Sequence, residues 1–323
     1  MLTYIGRRFL QMIPVFIGVT ILLFILRTPG VLPGDPVKLI TGERAISPAL
    51  YNQIVKENAL DRSIPYQYVR WMSHLFHGDL GESYQLKRPV SSVLWDKFPN
   101  TFKLALVAIL IEAVLGILAG ILSAVKRYSF WDMLVTLSTS ILVALPVFWL
   151  GMLLQVLFGI KFKQWGLPYL PMSGMNQGAF PAWVYYVLPA VTLAAISTAY
   201  AARITRSQFL EVQGQDYMRT AAAKGLTNSQ VIWRHGLKNA LIPVVTYIGL
   251  DLAAMIGGTI LTETVFNWPG VGYQIYKAIL SRDWPIVMGA VVIIVILVMF
   301  INLLVDISYA FLDPRIRYGR QAK

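Results

Sequence analysis

Six apolar runs restrict what this chain can become: residues 9–26, 102–125, 133–160, 183–202, 241–262 and 286–312. Each matches the roughly 20 residues that an α-helix rising about 1.5 Å per residue needs to cross a bilayer. Inside hydrocarbon every backbone N–H and C=O must find its partner within the protein, which leaves helices or closed barrels. The alternating, strand-length pattern of a barrel is absent, so the runs predict an all-α integral membrane protein with about six transmembrane helices. The first run follows Arg7 and Arg8 and ends in Arg27-Thr28-Pro29-Gly30. It is too long for the apolar core of a signal peptide and lacks a small-x-small cleavage site, so it too reads as a span.

The composition agrees: of 323 residues, 56% are hydrophobic and 14% charged, with a mean hydropathy of +0.60. That is too apolar for a water-soluble domain of this size. A formal charge of +12 raises the question of nucleic acid, but no polar domain gathers the basic residues, so no nucleic-acid partner is expected. The charge reads instead as topology. Arg7, Arg8, Lys126, Arg127, Arg203, Arg206, Arg219, Lys224, Arg234, Lys238, Arg315, Arg317, Arg320 and Lys323 fall on alternate sides of the spans from Lys161, Lys163, Lys277 and Arg282. The positive-inside rule then puts both termini in the cytoplasm of a multi-pass cell-membrane protein. The basic residues of 28–100 do not oppose this, because loops longer than about 60 residues cross largely regardless of charge.

The resulting organisation is a cytoplasmic N-terminus and first span (1–27), an extracytoplasmic lobe (28–100), a five-helix core (101–312) and a cytoplasmic tail (313–323). The lobe carries turn signals at Pro33-Gly34-Asp35-Pro36 and Gly78-Asp79-Leu80-Gly81 around an amphipathic stretch. In the outer loops, Trp165, Tyr169, Trp183, Trp268 and Trp284 suit the headgroup level. Gly116 and Gly120 form a small-xxx-small pattern, and Gly257-Gly258 offers a second place for close helix packing. Pro146 and Pro189 are positioned to kink helices.

Chemistry-bearing residues are sparse. There is no cysteine, which excludes disulfides and thiolate ligands. His74 and His77 stand three apart, two ligands being too few for a metal site. No phosphate-binding glycine loop, His-Glu-x-x-His or nucleophile elbow occurs, so no catalytic residue, metal or cofactor is expected, and ATP hydrolysis is not this chain's own task. Three acids lie inside predicted spans: Glu112, Asp251 and Asp306. A mid-bilayer charge costs at least about 2.5 to 3.5 kcal/mol on insertion scales, so none should face lipid. Glu112 and Asp251 are candidates to line a polar path, with helix-helix packing as the competing use; Asp306 lies near the inner interface.

The segment 203–240, between the fourth and fifth runs, is too organised for a connector. Asp216 can start a short helix, Ala221, Ala222 and Ala223 favour one, and Lys224-Gly225 supplies a terminal charge and a stop. Thr227-Asn228-Ser229-Gln230 matches a capping box, which begins a second short helix ahead of Pro243. A small-faced cytoplasmic helix suits insertion into another protein's groove.

Tyr217-Met218-Arg219-Thr220-Ala221-Ala222-Ala223-Lys224-Gly225 and Arg234-His235-Gly236-Leu237-Lys238-Asn239-Ala240-Leu241-Ile242-Pro243 resemble the cytoplasmic loop of binding-protein-dependent ABC importer permeases. The likeness is to the oligopeptide, dipeptide and nickel branch, and to its first permease subunit. It extends to Tyr4-Ile5-Gly6-Arg7-Arg8, Leu32-Pro33-Gly34-Asp35-Pro36, Gly78-Asp79-Leu80-Gly81 and Asp313-Pro314-Arg315. Arg219 stands where the general importer signature begins with a glutamate, a departure that looks like a feature of the peptide branch. The resemblance implies a type I importer permease fold and a subunit that carries oligopeptides or dipeptides. Its implied partners are a homologous second permease, two cytoplasmic ATPase subunits, an extracytoplasmic substrate-binding protein and membrane lipid. It implies ATPase coupling through Arg219, Thr220, Ala221, Ala222, Ala223, Lys224 and Gly225. A nickel-chelate, glutathione or other small-solute permease is the nearest alternative. An intramembrane enzyme or an ion-coupled transporter fits the residues less well.

Overall fold

The computed structural model describes residues 2–27, 36–41, 47–175 and 178–312. The Leu32-Pro33-Gly34-Asp35 turn signal and the 313–323 tail lie outside the described residues. Among the described residues the chain is helical, with one isolated bridge between Glu82 and Pro89. The helices are α1 (Leu2–Arg27), α2 (Pro36–Thr41), α3 (Pro48–Glu57), α4 (Ile64–Phe76), α5 (Val90–Val125), α6 (Phe130–Ala144) and α7 (Val147–Leu154). After α7 the helix widens into a π segment, Gln155–Lys161, and closes as α8 (Phe162–Gln164). There follow α9 (Val184–Gln213), α10 (Asp216–Ala223), α11 (Asn228–Gln230), a second π segment at Val231–Gly236, α12 (Leu237–Val265), α13 (Val271–Leu280) and α14 (Trp284–Leu312). Six of these stretches are long and apolar enough to cross a membrane: Gly6–Leu26, Val90–Val125, Val147–Gln164, Val184–Gln213, Val231–Val265 and Trp284–Ile307.

Two boundaries differ from the sequence reading. The run 133–160 is not one helix: α6 stops at Ala144 and a new helix starts at Val147, because Pro146 cannot donate the next backbone bond and pushes Leu145 out of helical geometry. In addition, α5 begins at Val90, inside the segment expected to be a lobe, and runs through Pro99 for 36 residues. The loop between the fifth and sixth runs also folds, as α13.

The chain divides into two compact units, residues 1–99 with 270–299, and residues 100–269 with 300–323. In the first unit α4 packs on α1 through Phe24, Tyr68 and Trp71, the Phe24 and Tyr68 rings meeting edge-on at 5.5 Å. The hydroxyls of Thr20 and Tyr68 are 2.9 Å apart. The turn after Gly81 is pinned to Asp283, just before α14. That buried carboxylate accepts bonds from the Ser83 hydroxyl, at 2.5 Å, and from the amides of Tyr84 and Gln85. His74 Nδ1 lies 3.0 Å from Asp79 Oδ2 and His77 Nδ1 lies 2.7 Å from the Ser73 carbonyl, so each histidine has its own partner.

The second unit is built on close contact between α5 and α9. A Cβ on Gly116 would lie 2.6 Å from Ala201 Cβ, and one on Gly120 would lie 2.5 Å from the Ala202 carbonyl. Only glycine lets the two backbones approach this far, which is how small residues hold helices together where lipid removes the hydrophobic drive. Gly258 is different: among the described residues nothing lies within 4 Å of its Cβ position, so Gly258 itself makes no such close approach there. Trp268 is also not an interfacial anchor. It is fully buried, stacks edge-on with Tyr186 at 4.7 Å, and donates its indole N–H to the Asn100 carbonyl. A buried indole needs an acceptor, and the Asn100 carbonyl, within α5 next to Pro99, supplies one.

Candidate functional site

Two features of the second unit carry chemistry, one at the end of α9 and one within the helices. At the first, α9 closes on Gly214 and Gln215 serves as the N-cap of α10. Asp216 was expected to cap the helix with its carboxylate. It instead occupies the first turn, makes no capping bond, and has an exposed side chain 3.8 Å from Arg219. Its charge still favours the positive end of the helix dipole. The inward face of α10 is Met218 and Ala221, packed with Val231 and flanked by Val212 and Leu226. Arg219, Thr220, Ala222, Ala223, Lys224 and Gly225 are exposed. Ala221 therefore anchors the helix, and the other six expected coupling residues are presented outward.

Gly225 ends the helix at φ +82°, the left-handed conformation, with its amide bonded to the Ala222 carbonyl. A side chain would be strained there, which explains glycine at this stop. The capping box forms next: Gln230 N donates to Thr227 Oγ1, and Thr227 N donates to Gln230 Oε1 at 3.0 Å. The helix it starts was expected to be short, yet α11, the second π segment and α12 run on without a break from Asn228 to Val265, past Pro243. Gly236 makes that passage possible, since a Cβ there would lie 3.1 Å from Phe209 and 3.2 Å from Met218. Asn239 of α12 reaches back and donates to the Tyr217 hydroxyl at 2.9 Å.

The second feature is a pair of acids among the spans. Glu112 of α5 is fully buried, and its carboxyl group meets a second acid, with no basic or neutral donor bonded to either oxygen. Asp251 of α12 is that neighbouring acid; it is half-buried, with Oδ2 enclosed. Tyr247, one turn earlier, stands among Asp251, Glu112, Ser197 and Tyr200. The group grades from buried Glu112, through half-buried Asp251 and Tyr247, to exposed Tyr200. Asp306, the third predicted acid, is half-buried on α14.

Sequence reasoning missed the buried carboxylate of Asp132. Asp132 of α6 accepts bonds from both Arg206 Nε (2.9 Å) and Nη2 (3.0 Å), from the Ser123 hydroxyl at 2.5 Å, and from the Tyr128 amide. Arg203, one turn before Arg206, donates to Ser140 Oγ at 3.1 Å. Arg203 and Arg206 had been read only as topology signals. Their spacing of three, with Ser and Asp near the facing helix ends, was the available clue.

Residues 116–318 match the family model described as the binding-protein-dependent transport system inner membrane component. Residues 1–105 match the model for the N-terminal part of the same membrane components. The chain belongs to this permease family. Among its relatives in the family, the di/tripeptide transport system permease protein DppB of Pseudomonas aeruginosa is 38% identical, over 99% of this chain and 100% of that protein. The glutathione transport system permease protein GsiC of Pectobacterium atrosepticum is 39% identical, over 98% and 100%. The oligopeptide transport system permease protein AppB of Bacillus subtilis is 37% identical, over 98% and 100%. Among solved structures, the inward-facing MetNI methionine ABC transporter matches with a TM-score of 0.56 at 19% identity, over 69% of this chain and 97% of that one. An amino acid ABC transporter matches with a TM-score of 0.52 at 14% identity, over 68% and 94%. The fold is that of the type I ABC importer permeases.

Proposed function

We propose that the chain forms one half of the membrane path of an ATP-driven importer for dipeptides or oligopeptides, and hydrolyses no ATP itself. Its partners in this reading are a homologous second permease, two cytoplasmic ATPase subunits, an extracytoplasmic binding protein and the surrounding lipid. Both termini are cytoplasmic, residues 28–100 lie largely outside, and 203–240 meets the ATPase. The observation that carries the reading is α10. It is an eight-residue helix held from behind by Met218 and Ala221, with small and basic residues facing out and a left-handed glycine at its end. That is the shape of an element made to seat in a partner's groove and move with it. The names of the relatives support peptides as cargo; the glutathione permease, at similar identity, supports a second reading in which the cargo is that γ-linked tripeptide.

In this mechanism ATP closes the ATPase pair, α10 follows, and the spans reorient around a polar cavity. Asp251 faces the cavity and meets amine or amide groups of the passing peptide, with Glu112 behind it. The test is Gly225→Val in the assembled complex. A β-branched residue at φ +82° redirects the chain and misplaces α10, so membrane insertion and pairing persist while stimulation of ATP hydrolysis by loaded binding protein falls. Wild-type stimulation in that variant would overturn the reading. Orientation is tested by thiol labelling. A cysteine at exposed Ser229 reacts only from the cytoplasmic side, and one at exposed Tyr66 only from outside. Ser83 does not serve for this, being fully buried.

A further inference from the structure

The importer reading leaves open how motion of α10 reaches the transmembrane helices, since α10 is joined to its neighbours on one side by Gly214 and on the other by Gly225. Glycine is the most conformationally permissive residue, so these junctions alone do not fix the orientation of α10. Side-chain contacts then set how α10 sits on the following helix. Two contacts join α10 to the helix that follows. One is apolar: Met218 and Ala221 against Val231, with Met218 Cε over Gly236. It is non-directional and yields to sliding. The other is the bond from Asn239 Nδ2 to the Tyr217 hydroxyl, 2.9 Å long, between residues 22 apart in sequence. It fixes both register and direction.

We infer that Tyr217 and Asn239 are a positioning pair that fastens α10 to the cytoplasmic end of α12, so that the two helices move as one body and carry Asp251 with them. Asn239 and Asp251 lie on one uninterrupted helix, and their twelve-residue separation spans about 18 Å at about 1.5 Å per residue. A displacement at Tyr217 is thus delivered at the depth of the carboxylates along one continuous helix, past Pro243. The π segment at Val231–Gly236 belongs to the same device. Its wider turn brings Gly236 against Phe209 and Met218 and sets the rotation at which Asn239 faces Tyr217; π turns inside α-helices recur at functional positions for this reason. Neither residue touches cargo or nucleotide in this account: each acts through α12.

The inference rests on the importer reading, and its test separates the two. Full complexes with binding protein and ATPases are reconstituted in vesicles, and peptide taken up per ATP hydrolysed is measured for the wild-type chain, Tyr217→Phe, Asn239→Ala and the double variant. Tyr217→Phe keeps the ring and removes only the hydroxyl acceptor. Each single variant is expected to assemble normally, to hydrolyse ATP at near wild-type rates, and to lose about 3- to 10-fold in uptake per ATP, the range spanned by one hydrogen bond of ordinary net strength. The double variant is expected to be no worse than the poorer single one, because both remove the same bond. Unchanged stoichiometry in either single variant, or additive losses in the double, would overturn the inference. So would failure of either single variant to assemble, which would make the bond a folding contact. Absence of ATP-dependent uptake by the wild-type complex would sink the importer reading itself.

Discussion

Two buried carboxylates in the same helical unit are treated in opposite ways. Asp132 is surrounded: a bidentate guanidinium, a hydroxyl and a backbone amide leave little of its hydrogen-bonding capacity unused. Glu112 is at least as buried and has no basic or neutral donor on either oxygen, its neighbour being a second acid, Asp251. Satisfied charge holds a structure in place, here the α5–α6 turn against α9. An acid buried without a basic partner costs free energy that packing alone does not return, and intramembrane acids mark pathways in transport proteins. The comparison therefore separates a fastening at the α5–α6 turn from an acid pair among the spans, for which we propose a role in transport.

The largest change in stability is expected at the fastening. Asp132→Ala strips the partner from a half-buried Arg206, and losing such a charge-assisted pair, partly screened by solvent, costs about 1.5 to 3 kcal/mol; unfolding of the purified chain in mixed micelles measures it. Arg206→Lys keeps the charge but not the fork that grips both carboxylate oxygens, so it should recover only part of that loss. Next comes the α5–α9 seam. Gly120→Val forces a side chain to within 2.5 Å of the Ala202 carbonyl oxygen, a backbone atom that cannot swing aside, and should cost about 1 to 3 kcal/mol in the same assay. Exposed Lys224 lies at the other extreme. Lys224→Ala should shift ATPase coupling by no more than the roughly 0 to 1 kcal/mol of a surface ion pair, read as the concentration of loaded binding protein giving half-maximal ATP hydrolysis.

Part of this contrast was legible in the sequence. Spans, the α10 stop at Gly225 and the Thr227–Gln230 capping box are local: each follows from hydropathy or from turn and cap chemistry within a few residues. The seam at Gly116 and Gly120 was legible as a pattern but not as a pairing with Ala201 and Ala202, because spacing does not say which helix lies opposite. The fastening at Asp132 was illegible for the same reason, its partners being contributed by α5, α9 and the intervening turn. Trp268 was misread because an aromatic in an outer loop looks interfacial until the loop folds inward over Asn100. The break at Pro146 was visible as a residue yet underweighted, since hydropathy flows across it without interruption.

The smallest stability change is expected at the carboxylate pair, and there function should move most. Replacing Glu112 or Asp251 with leucine removes a charge that the membrane penalises, so insertion and unfolding should be unchanged or slightly improved. The direct measurement is ATP-driven uptake of a labelled dipeptide into vesicles containing the full complex with the wild-type chain, Glu112→Leu or Asp251→Leu. The account predicts normal assembly and ATP binding with uptake lost in Asp251→Leu and reduced in Glu112→Leu. Wild-type uptake in both variants would contradict it and return the pair to the role that Asp132 plays, a packing contact between helices.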